Sequence, residues 1–150
     1  MSPVEELYQE IILDHHRCPR NCRALPGASG SAEGYNPLCG DRIKVFLRVD
    51  GERIVDLSFQ GQGCAISQAA ASLMTVAVKG KSRAEAEALF GRFHALVTGR
   101  ALAAAEAVSL GKLEAFAGVA AFPLRVKCAS LPWHTLHAAL AGQGVTISTE

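Results

Sequence analysis

The chain opens with a helical pattern. Val4, Leu7, Tyr8, Ile11 and Ile12 recur at steps of three and four and lay one apolar stripe. Ser2 supplies a cap, Pro3 suits the first helical position and Glu5 completes a capping box. Pro19 stops the helix, and residues 17–41, rich in Gly, Pro, Asn and Ser, read as loop with a thin trace of a strand over 31–36. The period then drops to two. Ile43, Val45, Leu47 and Val49 alternate with Arg42, Lys44, Phe46, Arg48 and Asp50; Asp50-Gly51 signals a hairpin; Val55, Leu57 and Phe59 carry the alternation back to Gly61-Gln62-Gly63.

Beyond that point the pattern is helical again. Ala65 to Lys79 is dominated by small residues, which permits close approach to the hairpin, and Gly80 closes it. Ser82 and Glu85 form a second capping box for a helix to about Val97, with Leu89, Phe93, Leu96 and Val97 on its inner face. Ala101–Val108 carries a weak helical pattern, and Leu110–Phe116 a short helix between glycines. Phe122-Pro123 breaks the chain before a last helix near Ala129 to Ala141, which carries Trp133, Leu136, His137 and Leu140; residues 143–150 read as a loose tail. Consecutive strands outnumbered by helices predict an α+β fold: a small antiparallel sheet of about three strands with helices packed on one face, all within a single domain over 1–150.

Composition narrows the function classes. The chain is 49% hydrophobic and 19% charged with a net charge of +1, which fits a globular protein and gives no nucleic-acid footprint. No stretch has the length of a bilayer span, and the first residues lack a signal-peptide layout, so the expected place is the cytoplasm. Five cysteines at uneven spacing in a reducing compartment point to metal or thiol chemistry rather than to a disulfide framework.

Three of those cysteines sit on breaks in the pattern: Cys39 in Pro37-Leu38-Cys39-Gly40-Asp41, Cys64 after Gly61-Gln62-Gly63, and Cys128 after Arg125-Val126-Lys127. Gly40 lets Cys39 and Asp41 turn toward one centre, although Asp41 reads equally as a turn residue. Cys64 heads the alanine-rich helix, where the helix dipole favours thiolate; Cys128 is placed similarly before the last helix, so two helix N-termini are expected to face one anionic site. Three thiolates and a carboxylate keep excess negative charge even around a divalent cation. Arg125 and Lys127 are the candidate auxiliary charges that offset it. Such a donor set suits zinc, an iron–sulfur cluster or sulfur acceptance, and one carboxylate among thiolates makes the site exchangeable. Cys18 and Cys22, beside His15 and His16, permit a second metal site but read better as loop residues. His94, His134 and His137 read as surface or core histidines.

The segments Asn36-Pro37-Leu38-Cys39-Gly40-Asp41, Gly61-Gln62-Gly63-Cys64-Ala65-Ile66-Ser67 and Lys127-Cys128-Ala129 resemble the three cysteine motifs of the IscU/NifU-type iron–sulfur scaffold family. Asp14-His15 and Pro19-Arg20-Asn21 are also similar to that family. Within it the chain resembles the SufU branch. The interval from Cys64 to Cys128 is long, Lys127 stands where IscU carries histidine, and the Leu-Pro-Pro-Val-Lys motif appears only as Phe122-Pro123-Leu124-Arg125-Val126-Lys127. The resemblance implies a SufE/NifU-like fold with Cys39, Asp41, Cys64 and Cys128 holding zinc or a transient [2Fe–2S] cluster. It implies Cys39 as acceptor of persulfide sulfur from a cysteine desulfurase (SufS/IscS-like), with downstream apo iron–sulfur proteins or other assembly factors as recipients. The alternative is a purely structural zinc-binding interaction module. A zinc hydrolase or deaminase fits poorly, because four protein ligands leave no open position and no His-x-Glu signature is present.

Overall fold

The computed structural model describes residues 2–141 and 146–148. Helix α1 runs Pro3–Arg17, with the Ser2 hydroxyl accepting from the Glu5 amide. Its stripe is buried only in the second half. Ile11 and Ile12 pack on the core, whereas Val4 and Leu7 stay exposed. The helix meets its neighbours near its C-terminal end, where His15 is buried, so the first two turns project past the body.

Strands β1 (Gly30–Asn36), β2 (Asp41–Asp50) and β3 (Arg53–Gln62) form the expected antiparallel meander. The trace of a strand over 31–36 is thus a full strand. A short β4, Thr146–Ser148, adds to β1 in parallel, giving the order β3-β2-β1-β4. Part of the expected loose tail is therefore sheet; its residues 143–145, 149 and 150 lie outside the described residues.

One strand expectation is corrected. Arg48 faces Asp56 and Val49 faces Ile54, so Val55 is an extra residue in β3. This bulge reverses the alternation at the start of the strand. Ile54 turns inward with Leu57 and Phe59, and Val55 faces out.

Helix α2 (Ala65–Val78) and α3 (Arg83–Val97) start at Cys64 and Ser82 as caps, and α3 carries the reciprocal capping box with Glu85. A short α4 (Ala104–Leu110) leads into 3₁₀ turns over Gly111–Ala121, longer than the short helix expected there. Helix α5 spans Pro123–Leu140, six residues earlier than the pattern placed it. Pro123 is the cause. It occupies the first turn, where a missing amide costs nothing, after Phe122 in an extended conformation.

The helices cover one face of the sheet, as expected. Val45, Leu57 and Phe59 meet Ala69–Ala71 and Met74 of α2 and Leu131 and Leu136 of α5 in one buried cluster. From α5, Trp133 lies against Phe93 and Phe90 of α3, with ring centroids 5.2 and 6.2 Å apart. Each such buried side chain contributes about 1.5–3 kcal/mol. Gly34 allows α5 to lie close on β1, since a Cβ there would strike Thr135 Oγ1 and Leu131. No helix among the described residues is long and apolar enough to cross a membrane.

Candidate metal and thiol centre

Strand parity builds the floor of the site. Ala32, Gly34 and Asn36 of β1 face the helices, as do Asp41, Ile43, Val45 and Leu47 of β2. Asn36 and Asp41 are cross-strand partners at the end of the ladder, so the turn between them leaves both side chains beneath α5. Each is 1% exposed. Cys39 lies in that turn, half-buried, with Gly40 at φ +69° supplying the bend.

Cys128 reaches the same point from above. It is fully buried on the second turn of α5. The ligand atoms of Cys39, Asp41 and Cys128 all lie within 4.8 Å of one another. Cys64 adjoins them at the N-terminus of α2. Its amide donates to Asp41 Oδ1 at 2.9 Å, and its sulfur lies 3.9 Å from Asp41 Oδ2. The Ser67 amide donates to Cys64 Sγ at 3.4 Å, so the thiol caps its helix. Gly63 makes the approach possible, since a Cβ there would collide with the Asp41 carboxyl.

The compensation of charge differs from the sequence expectation. Of the two helix N-termini expected to face the centre, that of α2 does so and that of α5 does not. Cys128 lies beyond the first turn of α5, and its thiol donates back to the Leu124 carbonyl at 3.5 Å instead of receiving free amides. Arg125 is exposed and makes no ion pair among the described residues, and Lys127 likewise makes none. Burial pushes the Cys128 thiol well above its ordinary value; its bonds to Cys39 and Asp41 and the nearby Cys64 add to that push. Without a cation, Cys128 is therefore held as the thiol.

Asn36 is the site residue that sequence reasoning quoted but did not assign. Its Nδ2 donates to Asp41 Oδ2 at 3.1 Å and to Cys128 Sγ at 3.3 Å. One amide thus ties the carboxylate to a thiol that lies 92 positions beyond Asn36 in the chain. Its Oδ1 is buried without a hydrogen-bond partner among the described residues. The available signal was parity: Asn36 falls in the inward register of Ala32 and Gly34, where a polar side chain needs a partner.

Cys18 and Cys22 are exposed and outside the cluster, consistent with loop residues. His15 is buried, with Nδ1 2.7 Å from Ser72 Oγ. His137 pairs with Glu87 at 2.9 Å, and His134 packs edge-on against Phe90. Burial, followed by the neighbouring His94 and His137, lowers the pKa of His134.

Residues 7–129 match the NifU-like N terminal domain family. The chain belongs to that family. Among its NifU-like relatives is the zinc-dependent sulfurtransferase SufU of Bacillus subtilis (strain 168), 38% identical over 92% of each chain. The iron–sulfur cluster assembly scaffold protein IscU of Streptococcus pyogenes serotype M1 is 40% identical over 93% of this chain and 86% of its own. The crystal structure of FiSufU from Fervidobacterium islandicum AW-1 superposes with a TM-score of 0.83 at 34% identity, covering 91% of this chain and 98% of that one. The expected NifU/SufU-like family and α+β fold are thereby established for this chain.

Proposed function

We propose that this chain is an iron–sulfur cluster assembly protein that accepts sulfur from a cysteine desulfurase and holds zinc or a transient [2Fe–2S] cluster on Cys39, Asp41, Cys64 and Cys128. The observation that carries this is the convergence of Cys39, Asp41 and Cys128 within 4.8 Å, with Cys64 joined to Asp41 through its amide. The names of the SufU and IscU relatives support the same assignment.

The donor set fits a soft cation. Buried Asp41 and Cys128 have no cationic partner among the described residues, and Cys128 is held protonated by burial, followed by its contacts with Cys39, Asp41 and Cys64. Zinc bound there supplies the positive charge that keeps the sulfurs as thiolates. A [2Fe–2S] unit is cargo on the same ligands.

Cys39 is the acceptor. It sits in a glycine turn near the surface, whereas Cys128 is buried in a helix and Cys64 is tied to α2 by the Ser67 amide. Its thiolate attacks the outer sulfur of the desulfurase persulfide. A new S–S bond forms on Cys39 as the donor's bond breaks, and the donor cysteine leaves as thiolate. Leu38, immediately before Cys39, and Phe122 and Leu124, at the start of the helix carrying Cys128, are large and exposed. They suit an apolar contact with the docking enzyme. Recipients are apo iron–sulfur proteins or further assembly factors, and a reducing cytoplasm suits five free thiols.

Anaerobic mixing with a desulfurase and isotopically labelled cysteine, followed by mass analysis, tests the proposal. One added sulfur on Cys39, absent in Cys39→Ser, is the expected result. No gain on any cysteine, with metal retained, removes the sulfur-acceptor role. Adding ferrous iron and following the visible absorption then separates scaffold from relay.

A further inference from the structure

A cavity of about 550 Å³ lies at the other end of α2, where α1, α2, α3 and the 3₁₀ turns meet. Cys64 caps the N-terminus of α2, whereas Val76, Ala77 and Lys79 at its C-terminal end line this cavity. The volume falls in the range of small-molecule sites, roughly 300–1,000 Å³.

Its walls combine two chemistries. Leu73, Ala77, Leu110 and Leu113 supply an apolar floor, and Arg20, Lys79, Lys81 and Lys112 bring four cations to the same opening. Arg20 is matched by Asp14 at 2.8 Å, and Lys79 by Asp56 at 3.2 Å. Lys81 and Lys112 make no ion pair among the described residues. Glu85, whose carboxyl feels Lys81, accepts from the Ser82 amide in the α3 cap. Two cations thus stand around an apolar hollow without an ion-pair partner among the described residues, with Glu85 within electrostatic reach of Lys81 and Asp14 of Lys112.

His15 adds a buried imidazole. It lines the cavity yet is only 4% exposed. The Ser72 hydroxyl accepts the Arg20 amide at 2.8 Å and lies 2.7 Å from His15 Nδ1. A hydroxyl that accepts one proton and gives its own to Nδ1 leaves the neutral imidazole with its proton on Nε2. Burial, followed by the charge of Arg20, keeps the ring neutral, with Lys112 acting in the same direction. In that tautomer, with the hydroxyl donating to Nδ1, the ring presents a hydrogen-bond donor at Nε2.

We propose that this cavity binds a small organic anion, a phosphate, sulfonate or carboxylate on an apolar body, with Lys81 and Lys112 neutralising the anionic group, His15 donating to it and the leucine floor covering the body. The site is separate from the thiol centre and does not depend on the function proposed for it.

The test uses the full chain and three probes: 1-anilinonaphthalene-8-sulfonate, the uncharged 1-anilinonaphthalene, and inorganic phosphate. Titrations are followed by fluorescence for the dyes and by ¹⁵N–¹H spectra for all three. The sulfonate should saturate one site, shifting the amides of Ala77, Lys81 and Lys112 and the ring signals of His15 while leaving Cys39 and Cys64 unmoved. It should bind more tightly than the uncharged dye, and phosphate should compete with it. A Lys81→Gln/Lys112→Gln double variant, both changes at exposed positions, should weaken sulfonate binding about tenfold with an unchanged urea midpoint. Undiminished binding in that variant, shifts centred on the thiol end, or equal affinity for the uncharged dye would each overturn the assignment. So would binding of a polyglutamate peptide with no binding of the sulfonate, which would make the patch a protein-docking surface.

Discussion

Asn36 shows how much one residue decides. A buried amide that donates to both a carboxylate and a thiol fixes two proposed ligands before any ion arrives. Asn36→Ala should cost about 1–3 kcal/mol, because Asp41 and Cys128 lose their donor in a buried setting. Urea melts of the metal-free protein measure that cost, and zinc competition titrations should show weaker binding at the same time. Asn36→Asp should weaken zinc-free stability further by adding a carboxyl next to Asp41. A stability equal to the parent in both variants would remove Asn36 from the site. Gly63 works by absence. Its φ of +155° and the Asp41 carboxyl in the place of a Cβ mean that Gly63→Ala should displace Asp41 and break its bond to the Cys64 amide. A changed Cys64 amide shift and lower zinc affinity, with the distant α3 amides unaffected, would record this.

At the scale of elements, the site depends on how α5 lies on the sheet. Helix periodicity and strand parity were readable in the chain, and they place Asp41 and Cys64 at element ends as the sequence indicates. The start of α5 was not, because Pro123 reads as a breaker when it is in fact the first turn of the helix. That difference moves Cys128 from a helix mouth to a helix flank and removes one expected source of positive potential. The Val55 bulge was hidden for a related reason: an extra residue in a β-branched run leaves the composition of the strand unchanged. The seat of α5 is testable through Gly34. Gly34→Ala would press against Thr135 and Leu131 and should cost about 1–3 kcal/mol by overpacking. Its urea midpoint should fall, and zinc binding should weaken with it because Cys128 rides on the same helix. A loss of stability with unchanged zinc affinity would mean that the helix shifts without disturbing the cluster.

For the molecule as a whole, the buried cluster runs from β3 through α2 and α5 to α3 and the 3₁₀ turns, well beyond the thiol centre. Chelation should therefore leave far-ultraviolet dichroism nearly unchanged and lower the melting temperature modestly. A structural zinc module would instead unfold on chelation. Acid should act through the histidines first. Burial holds His15 below its ordinary 6.5, and burial with His94 and His137 does the same for His134. The unfolded chain then takes up these protons before the folded one. Stability is complete above pH 6.5 and declines as pH falls below it. Asp56 acts later. Burial opposes its ionisation, but Arg23 and Lys79 win and hold it below 3.8, so its contribution persists until pH falls through the carboxylate range. Urea midpoints from pH 7.5 to 5.5, with chelator present throughout, should fall for the parent and fall less for His15→Gln; a flat parent profile would contradict this.

The order of periodicities, the capping residues and the three punctuated cysteines determined the α+β class, the helix starts at Ser2, Cys64 and Ser82, and the residues to suspect. These are local properties: a cap or an alternation depends on neighbours a few positions away. Tertiary structure alone decided that Cys39, Asp41 and Cys128 meet, that Asn36 binds two of them together, and that four cations gather around a leucine-lined hollow. Those outcomes depend on where α5 and the 3₁₀ turns come to rest, and that is set by packing volume across the core rather than by any short stretch of chain.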